Sequence, residues 1–513
     1  MNLQELFGRK KRSVLPAGFA KGEAAQDECG EPALPTELAA VQAQLADLLG
    51  ESPDIKHRTL VVDKGLELLL VYTEGLSNPK HLLETLVNAE LTDGLNELAP
   101  YQWLEWLKTT VIAEGPVADI GSLGGAGRFI LCGYAVIFIA GSEMALAVGT
   151  KELKQRAIEE PISQSVVRGP REGFTESLRE NTALVRRRIR DTRLRLEQMT
   201  IGEMTGTDVG LMYMKEITRP ELVDDLRRQL QQIDIESVLE SNYIEEMLLA
   251  DKPYTIFPTI FNTERPDVVA AAVLEGRIAI FVEGTPFVLL VPALFVHFFQ
   301  SGEDYYQRFD FSTLIRLLRY MSLLLTLLMP SLYIAVTTFH QEMLPTTLLL
   351  SLMSQREGVP FPAFIESLIM EITFEILREA GVRMPKSIGQ SVSIVGTLVI
   401  GQAAVEAGLV SAAMVIVVSV TAISNFVLPA FNIGISTRML RFVFMGLGAV
   451  FGLYGIFLGI IMLVLHLTSI ESFGVPYMST MASFKPADQK DSLFRLPLWL
   501  KKSRDGSLDT PTR

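Results

Sequence analysis

Residues 442–470 read FVFMGLGAVFGLYGIFLGIIMLVLHLTSI and contain no Asp, Glu, Lys or Arg. A helix needs about 20 predominantly apolar residues to cross the hydrocarbon core of a bilayer, and this stretch exceeds that length. A soluble protein would have to bury several helices of this kind to be stable in water. The stretch therefore predicts a membrane-spanning helix.

Uncharged sequence also precedes this stretch. Between Ser387 and Thr437 the only charged residue is Glu406, and the segment is long enough for two helices joined by a turn near Gly408. Residues 320–338 form another candidate span, which we expect to bend near Pro330. These segments predict a helical domain with several crossings.

Two further segments need not cross. Residues 284–302 are uncharged, but two prolines interrupt them, and residues 361–379 form an amphipathic helix pattern. The basic connections and the basic C-terminal tail favour the cytosolic side, yet they do not all fit one simple topology. The sequence predicts four to six spans.

The composition and the charge exclude several classes of protein. The 513 residues carry a formal net charge of −13, which leaves no basic surplus for binding nucleic acid. The two cysteines, Cys29 and Cys132, cannot build a disulfide framework. The N-terminus has no apolar segment behind its basic cluster, so it does not resemble a secretory signal, and we expect the first part of the chain to stay in the cytosol.

The region before the apolar segments reads as a soluble α/β protein. The predicted fold is an α+β/α multi-domain arrangement, in which a soluble mixed α/β N-terminal region of two lobes precedes an all-α polytopic transmembrane domain. The predicted divisions are 1–48 (a mobile tail), 49–165 (first α/β lobe), 166–283 (second α/β lobe), 284–483 (transmembrane domain) and 484–513 (basic cytosolic tail).

Local patterns predict particular elements in the two lobes. Residues 58–73, 128–149 and 277–292 alternate β-branched and aromatic residues with turn residues, which is typical of hairpins. Residues 218–250 have helical spacing behind Arg219-Pro220.

The sequence gives little sign of catalysis. The glycine-rich residues 121–129 precede a strand-like run instead of a helix, so we interpret them as a turn and not as a phosphate cradle. No nucleophile elbow and no H-E-x-x-H motif occur. His297, His340 and His466 lie in or beside apolar segments without a metal-ligand pattern. We therefore predict a protein that is not an enzyme and that has no metal or cofactor.

Four long segments resemble the GerA spore germination family. They are RGPREGFTESLRENTALVRRRIRDTRLR (168–195), PTIFNTERPDVVAAAVLEGRIAIFVEGTPFVLLVP (258–292), QSGEDYYQRFDFSTLIRLLRY (300–320) and the membrane run that begins FHQEMLPTTLLL (339–426). They occur in one order over roughly residues 54–484, which is far more specific than any short motif. The extended region before Asp54 resembles a receptor A subunit, while the AF-type protein of the SpoVA locus is a close relative.

The resemblance implies both a function and partners. It implies an A subunit that works with a multi-span B subunit and a lipoprotein C subunit in the spore inner membrane. It also implies a homo-oligomer that forms a nutrient-gated ion channel. An AF-type accessory channel without nutrient specificity is the alternative. A nutrient transporter is disfavoured, because no inverted pair of hydropathy repeats is visible.

The arginine-rich segment supplies candidates for a subunit interface. A turn at Gly169-Pro170 leads into a helix that we expect to start near Glu172. On this helix the guanidinium groups of the arginines could bind carboxylates of a neighbouring subunit. Surface pairs within one solvated helix are the alternative. The candidates are Arg168, Arg171, Glu172, Glu176, Arg179, Glu180 and Arg187.

Two other segments supply candidates for an ion pathway. Glu366, Glu371 and Glu375 could line an acidic vestibule, or they could face water from a helix lying on the membrane surface. The small and polar residues of 391–408 could line a pore, or they could allow tight helix packing. The pore and gate candidates are Ser391, Ile394, Val395, Val399, Gln402 and Glu406.

Overall fold

The computed structural model describes residues 33–62, 66–87, 100–112, 115–151, 161, 164, 166–250, 253–383, 401–482, 489–497 and 499. The chain divides into two compact units, residues 1–153 and 154–513. The first unit contains lobe 1, and the second contains lobe 2 together with the helical region. We describe each unit by itself.

Lobe 1 is a five-stranded antiparallel sheet in the order β1-β2-β4-β5-β3, with helices packed on it. The predicted hairpin at residues 58–73 is confirmed, because Ile55–Val62 pairs along its whole length with Leu66–Thr73. The elements are α1 (Leu38–Leu49), β1 (Ile55–Val62), β2 (Leu66–Thr73), α2 (Lys80–Val87), α3 (Pro100–Trp106, continued by a π-helical turn over Leu107–Val111), β3 (Val117–Ile120), α4 (Leu123–Leu131), β4 (Ala135–Ile139) and β5 (Ala145–Val148).

Helix α1 belongs to the core of lobe 1. Val41, Leu45 and Leu49 lie on one face at helical spacing and are buried against the sheet. Lobe 1 therefore begins before residue 49, inside the segment that the sequence pattern predicted to be a tail.

The glycine-rich segment is a helix, so our interpretation of residues 121–129 as a turn is wrong. Ser122 caps α4 by accepting a hydrogen bond from the backbone N–H of Gly125 at 3.2 Å. Leu123, Ile130 and Leu131 are buried in the lobe. Burial of this apolar face stabilises a helix whose glycines would disfavour it in isolation.

Lobe 2 is a second five-stranded antiparallel sheet, in the order β6-β7-β9-β10-β8. The predicted hairpin at residues 277–292 and the predicted helices within residues 218–250 are confirmed. The elements are α5 (Leu178–Arg188), β6 (Leu194–Ile201), β7 (Thr207–Met214), α6 (Pro220–Gln231), α7 (Ser241–Leu249), β8 (Phe261–Thr263), α8 (Pro266–Leu274), β9 (Ile278–Val282) and β10 (Val288–Val291).

The two lobes repeat one pattern of elements. Each runs helix, long hairpin, two helices, short strand, helix and short hairpin, and the two strand orders correspond position by position. Residues 123–148 align with 266–291 without a gap, so that Gly133 and Gly141 fall on Gly276 and Gly284, all with positive φ. The lobes are structural repeats of one α/β unit.

A partly buried carboxylate in lobe 2 predicts a dependence of stability on pH. Burial, and secondarily the charge of Glu240, raise the pKa of Glu245 to about 7 from an ordinary value of 4.5. Because the folded state disfavours the ionised carboxylate, its contribution to stability falls as the pH rises from about 4.5 to 7. We expect Glu245→Gln to stabilise the protein by about 1 kcal/mol at pH 8 and by clearly less at pH 5. Thermal unfolding at the two pH values measures this, with the exposed neighbour Glu246→Gln as the control; equal effects of the two variants would contradict it.

The helical region follows lobe 2 directly. Residues 284–302, which the sequence offered as a doubtful span, instead contain strand β10 and a 3-10 turn at Phe295–Phe298. Residues 401–406 are also helical. The named elements are α9 (Glu303–Tyr306), α10 (Phe309–Thr338), α11 (Thr346–Arg356), α12 (Ala363–Arg383), α13 (Ala412–Phe426), α14 (Phe431–Ser469), β11 (Glu471–Ser472), β12 (Val475–Pro476), α15 (Ser479–Ala482) and α16 (Gln489–Ser492), with a further 3-10 turn at Gln341–Met343.

Two described helices, α10 and α14, are long and apolar enough to cross a membrane. Helix α14 is interrupted at Gly452, whose φ of 61° and ψ of −144° are not helical. Leu447 and Gly455 would lie about 12 Å apart in a straight helix, yet a Cβ on Gly455 would stand 2.5 Å from the Leu447 carbonyl oxygen. The two halves of α14 therefore fold back on each other as a helical hairpin.

This hairpin corrects the span predicted for residues 442–470, because the chain reverses inside that stretch. Its first half instead begins at Phe431 and includes Arg438 and Arg441, which the sequence analysis had placed in a connection between spans. Both arginines are held by carboxylates of α12, so charge alone did not mark the end of a helix.

The turn at Gly452 can be tested by substituting this glycine. Its backbone conformation is one that only glycine adopts easily, and an added Cβ would lie 2.8 Å from the His340 ring. We expect Gly452→Ala to lower the free energy of unfolding by about 1–3 kcal/mol. Gly446→Ala is the control, since a Cβ there meets no atom within 4 Å. Thermal unfolding of the purified protein compares the two, and equal midpoints would contradict the hairpin.

Candidate functional site

The base of α10 carries a buried ionic cluster. The guanidinium group of Arg316 is fully buried, and its Nε and Nη2 donate to Asp304 Oδ2 at 3.2 and 3.1 Å. Its Nη1 lies 3.1 Å from Asp491 Oδ1, and Arg319 Nη1 donates to Asp304 at 2.9 Å. One arginine thus joins the chain just before α10 to the segment near the C-terminus.

The C-terminal segment is fixed by further hydrogen bonds to the same place. Tyr305 donates its hydroxyl to Asp491 Oδ2 at 2.7 Å, and Gln300 donates to the Asp491 carbonyl at 2.8 Å. Burial, and then the charge of Asp491, raise the pKa of Tyr305 well above its ordinary value, so the hydroxyl remains a donor. Residues 489–497 therefore form a strap across the base of α10, which we call the C-terminal strap.

The end of α14 is bonded to lobe 2. After the helix, Ser472 donates to the Thr259 carbonyl at 2.7 Å and accepts from the Ala293 backbone N–H at 3.0 Å. In the second half of the helix itself, His466 lies 3.0 Å from the Thr255 hydroxyl. The first half of α14 is tied to the same loop, because Ser436 donates to the Ile256 carbonyl. Both open ends of the hairpin therefore lie beside lobe 2.

A second buried network holds the segment that precedes α5. Arg265 forms a bidentate pair with Asp267 and donates to the backbone carbonyls of Gln164 and Pro170. Tyr306 donates to the same Asp267 at 2.5 Å, and burial together with this bond raises the pKa of Tyr306 to about 12. The network connects the start of lobe 2 to the turn before α10.

The interface candidates lie around the start of α5, which begins at Leu178 and not near Glu172 as predicted. Glu172 accepts hydrogen bonds from Arg187 at 3.0 Å and from Arg188 at 2.6 Å. Thr175 donates to Glu180 at 3.3 Å. The exposed candidates are Arg168, Arg171, Glu176, Arg179 and Glu180. Their role at a subunit interface stays a prediction.

The acidic candidates lie on α12, and they point inward. Glu366 is fully buried and accepts hydrogen bonds from the backbone N–H and the hydroxyl of Ser411, both at 2.6 Å. Glu371 is fully buried beside Arg441. The isoleucines of the apolar face, Ile369, Ile372 and Ile376, are instead exposed. Glu366 and Glu371 therefore do not face water, as the surface-helix alternative requires. The role of the three glutamates in an acidic vestibule stays a prediction.

These carboxylates form an ionic cluster with α14. Arg441 Nη1 lies 3.0 Å from Glu371 Oε2, and Arg441 Nη2 lies 3.2 Å from Glu375 Oε1. Arg438 Nη1 donates to Glu375 Oε2 at 2.8 Å, and Arg378 Nη1 lies 3.3 Å from the same carboxylate. The cluster fixes the register of α12 against the first half of α14.

Most pore candidates lie outside the described residues, namely Ser391, Ile394, Val395 and Val399. Gln402 and Glu406 are on the described turn of helix and are exposed, and Gln402 donates to Glu406 at 2.9 Å. Pore lining stays a prediction for all six.

Sequence reasoning missed the base of α10. Arg316 and Arg319 stand three residues apart in the first part of an apolar helix, and this signal could have drawn attention to them. Charged residues inside an apolar helix usually face protein and carry a specific role. Their partners Asp304 and Asp491 are far apart in the sequence and could not have been paired with them.

The fold defines a class of protein, in which two α/β repeats continue directly into apolar helices of membrane-spanning length. The sequence matches the family described as Bacillus/Clostridium GerA spore germination protein over residues 43–507. The chain belongs to this GerA family, which confirms the resemblance. The structure confirms the predicted fold class in having a mixed α/β region of two lobes followed by a helical region with two apolar helices of spanning length.

The chain is similar to several individual proteins. The chain is 47% identical to Spore germination protein KA of Bacillus subtilis (strain 168), over 92% of this chain and 86% of that protein. It is 48% identical to the uncharacterized membrane protein YfkQ of the same strain, over 88% of each chain. The crystal structure of the N-terminal domain of the A subunit of the Bacillus megaterium spore germinant receptor GerK3 matches with 35% identity and a TM-score of 0.43, over 52% of this chain and 98% of that one.

Proposed function

We propose that this protein is the A subunit of a nutrient-sensing spore germination receptor and forms a nutrient-gated cation channel as a homo-oligomer. The observation that carries the proposal is the family match, which extends through both lobes and the helical region. The relative KA, which bears the name of a spore germination protein, matches over nearly the whole chain.

The arrangement of polar and apolar side chains supports a membrane position for the helices. On α12 the side chains of Glu366 and Glu371 face the packed helices, while Ile369, Ile372 and Ile376 face outward. Exposed apolar side chains also cover α13, where Ile416 and Ile423 are each more than 60% exposed. A surface of this kind is stable against lipid and unfavourable in water.

The ends of the helices support an even number of crossings. Helix α10 starts beside lobe 2 and the second half of α14 returns to it, as the bonds of Tyr306 to Asp267 and of His466 to Thr255 show. If the number of crossings is even, the four to six spans predicted from the sequence become either four or six. With an even number of crossings, the C-terminal strap lies on the same side of the membrane as lobe 2. We propose that this side is the cytosolic side, which faces the spore core.

In this proposal the membrane is the spore inner membrane, and the partners are a multi-span B subunit and a lipoprotein C subunit. Residues 391–406 line the pore, with Ile394, Val395 and Val399 as an apolar gate that opens by wetting. The acidic residues of α12 hold the neighbouring helix by ion pairs and so link the pore region to α14.

Potassium release tests the proposal. Purified spores lacking this protein are challenged separately with several nutrients, and we expect release to fail for one nutrient set and to remain normal for the others. Spores complemented with the intact gene are the control.

Two other patterns of potassium release would contradict the proposal. Uniformly slow release with every nutrient would identify an accessory channel of the AF type and overturn the receptor assignment. Normal release with every nutrient would overturn both channel assignments.

A further inference from the structure

The ionic cluster between α12 and α14 is unbalanced in charge. Among the residues that the structure describes, it contains the guanidinium groups of Arg378, Arg438 and Arg441 and the carboxylates of Glu371 and Glu375. The nearby Glu379 does not correct the surplus, because it is paired with Arg383 at the exposed end of α12. The cluster carries one positive charge more than its carboxylates neutralise.

Arg378, at the edge of the cluster, has unpaired hydrogen-bonding capacity, as have Arg441 and Glu371 deeper in it. Only the Nη1 of Arg378 reaches a carboxylate, that of Glu375 at 3.3 Å. Its Nε and Nη2 are buried and have no hydrogen-bond partner among the described residues. The rings of Phe374 and Phe426 lie 5.2 and 5.7 Å from the guanidinium carbon, so they occupy its faces and leave the N–H edge as the part that can bind an anion. Buried N–H donors of this kind normally have a partner.

The depth of the cluster indicates which anion reaches it. Arg438 lies seven residues after the start of α14 at Phe431, or about 10 Å along the helix from the end beside lobe 2. Its side chain remains 17% exposed, whereas that of Arg441, one turn further in, is fully buried. That depth matches the boundary between lipid headgroups and acyl chains, where basic pockets between helices bind lipid phosphates.

We propose that Arg378 and Arg438 bind the phosphate group of a membrane phospholipid at the outer edge of this cluster. The inference rests on the membrane position given to these helices under the proposed function. The phosphate oxygens accept hydrogen bonds from the unpartnered N–H groups of Arg378, which the side chains around them must uncover, and neutralise the surplus charge. The lipid thereby stabilises the packing of α12 on α14.

The test uses the full chain, purified in an uncharged detergent. Phosphatidylglycerol is titrated into the micelles, and the thermal unfolding midpoint is followed; diacylglycerol with the same acyl chains, which lacks the phosphate, is titrated in parallel. We expect only phosphatidylglycerol to raise the midpoint. In Arg378→Gln and in Arg438→Gln we expect half-saturation to require about tenfold more lipid, the effect of losing one charge-assisted contact.

Arg383→Gln is the matched control, because Arg383 lies on the same helix with 78% of its side chain exposed. It should leave the titration unchanged. Arg378→Lys keeps the charge and shows whether a weak response reflects lost binding or a damaged fold. Native mass spectrometry counts bound lipid in the same samples, so a variant with a low midpoint still reports binding.

Three outcomes would overturn the proposal. The first is an equal response of the Arg378 and Arg383 variants, the second is an equal effect of diacylglycerol, and the third is saturation by inorganic phosphate at the same concentration as by lipid, which would indicate a soluble anion. None of these results bears on nutrient-dependent potassium release, so failure here is distinguishable from failure of the proposed function.

Discussion

Replacing Arg316 with Ala is expected to lower the free energy of unfolding by about 3–5 kcal/mol, the typical cost of breaking a buried ion pair by removing one partner. Asp304 and Asp491 both pair with this guanidinium group, and both are almost fully buried. Asp491 loses its ion pair with Arg316, whereas Asp304 keeps the one with Arg319. The variant should also loosen the C-terminal strap, because Asp491 loses its ion pair with Arg316.

Two measurements follow the consequences of this substitution. Thermal unfolding of the purified protein reports the loss of stability, and limited proteolysis with mass spectrometry reports cleavage within residues 489–497. The control is Arg308→Ala, since the pair of Arg308 with Asp310 is at the surface and should contribute less than about 0.5 kcal/mol. An unchanged cleavage pattern in the Arg316 variant would show that the strap is held by other contacts.

Replacing Arg441 with Leu is expected to have an effect of similar size in the helical region. It leaves Glu371 fully buried without its cation, at a cost of about 3–5 kcal/mol. Glu371→Gln alone should cost less, because a neutral amide is cheaper to bury than a charge and Arg441 keeps Glu375 as a partner. The double variant should recover much of the loss of the Arg441 variant.

A double-mutant cycle on unfolding in detergent measures this coupling. The matched control pair is Glu379 with Arg383 on the same helix, whose side chains are 64% and 78% exposed and whose coupling should be below about 0.5 kcal/mol. If the effects of the substitutions at Glu371 and Arg441 are additive, the ion pair between these two residues contributes no coupling free energy, which would contradict the prediction.

The lobes were predictable where the signal was local. The hairpin at residues 58–73 follows from alternating β-branched residues around a turn, and Pro220 marks the start of α6 as expected. The glycine-rich helix α4 was not predictable, because its stability comes from burial of Leu123, Ile130 and Leu131 and not from helix propensity. The repeat of the two lobes was not predicted from the sequence, because it is mainly a repeat of topology.

The helical region was predictable in kind but not in detail. The absence of charge indicated spans, yet the same criterion excluded Arg438 and Arg441 from the helix that contains them. Their charges are tolerated because α12 supplies carboxylates at the right depth. The orientation of α12 could not be predicted either. An amphipathic pattern shows that a helix has a polar and an apolar face, but it does not show which face contacts lipid and which contacts protein.

The sequence by itself determined the class of this protein, because long uncharged segments, alternating strands and four family segments need no partner to be recognised. The tertiary structure alone decided which charges meet. Arg316 and Asp491 are 175 residues apart, and Glu371 and Arg441 lie on α12 and α14, with α13 between them in the sequence. A charge buried in an apolar region is stable only beside its counter-charge, and that proximity is set by the packing of distant elements.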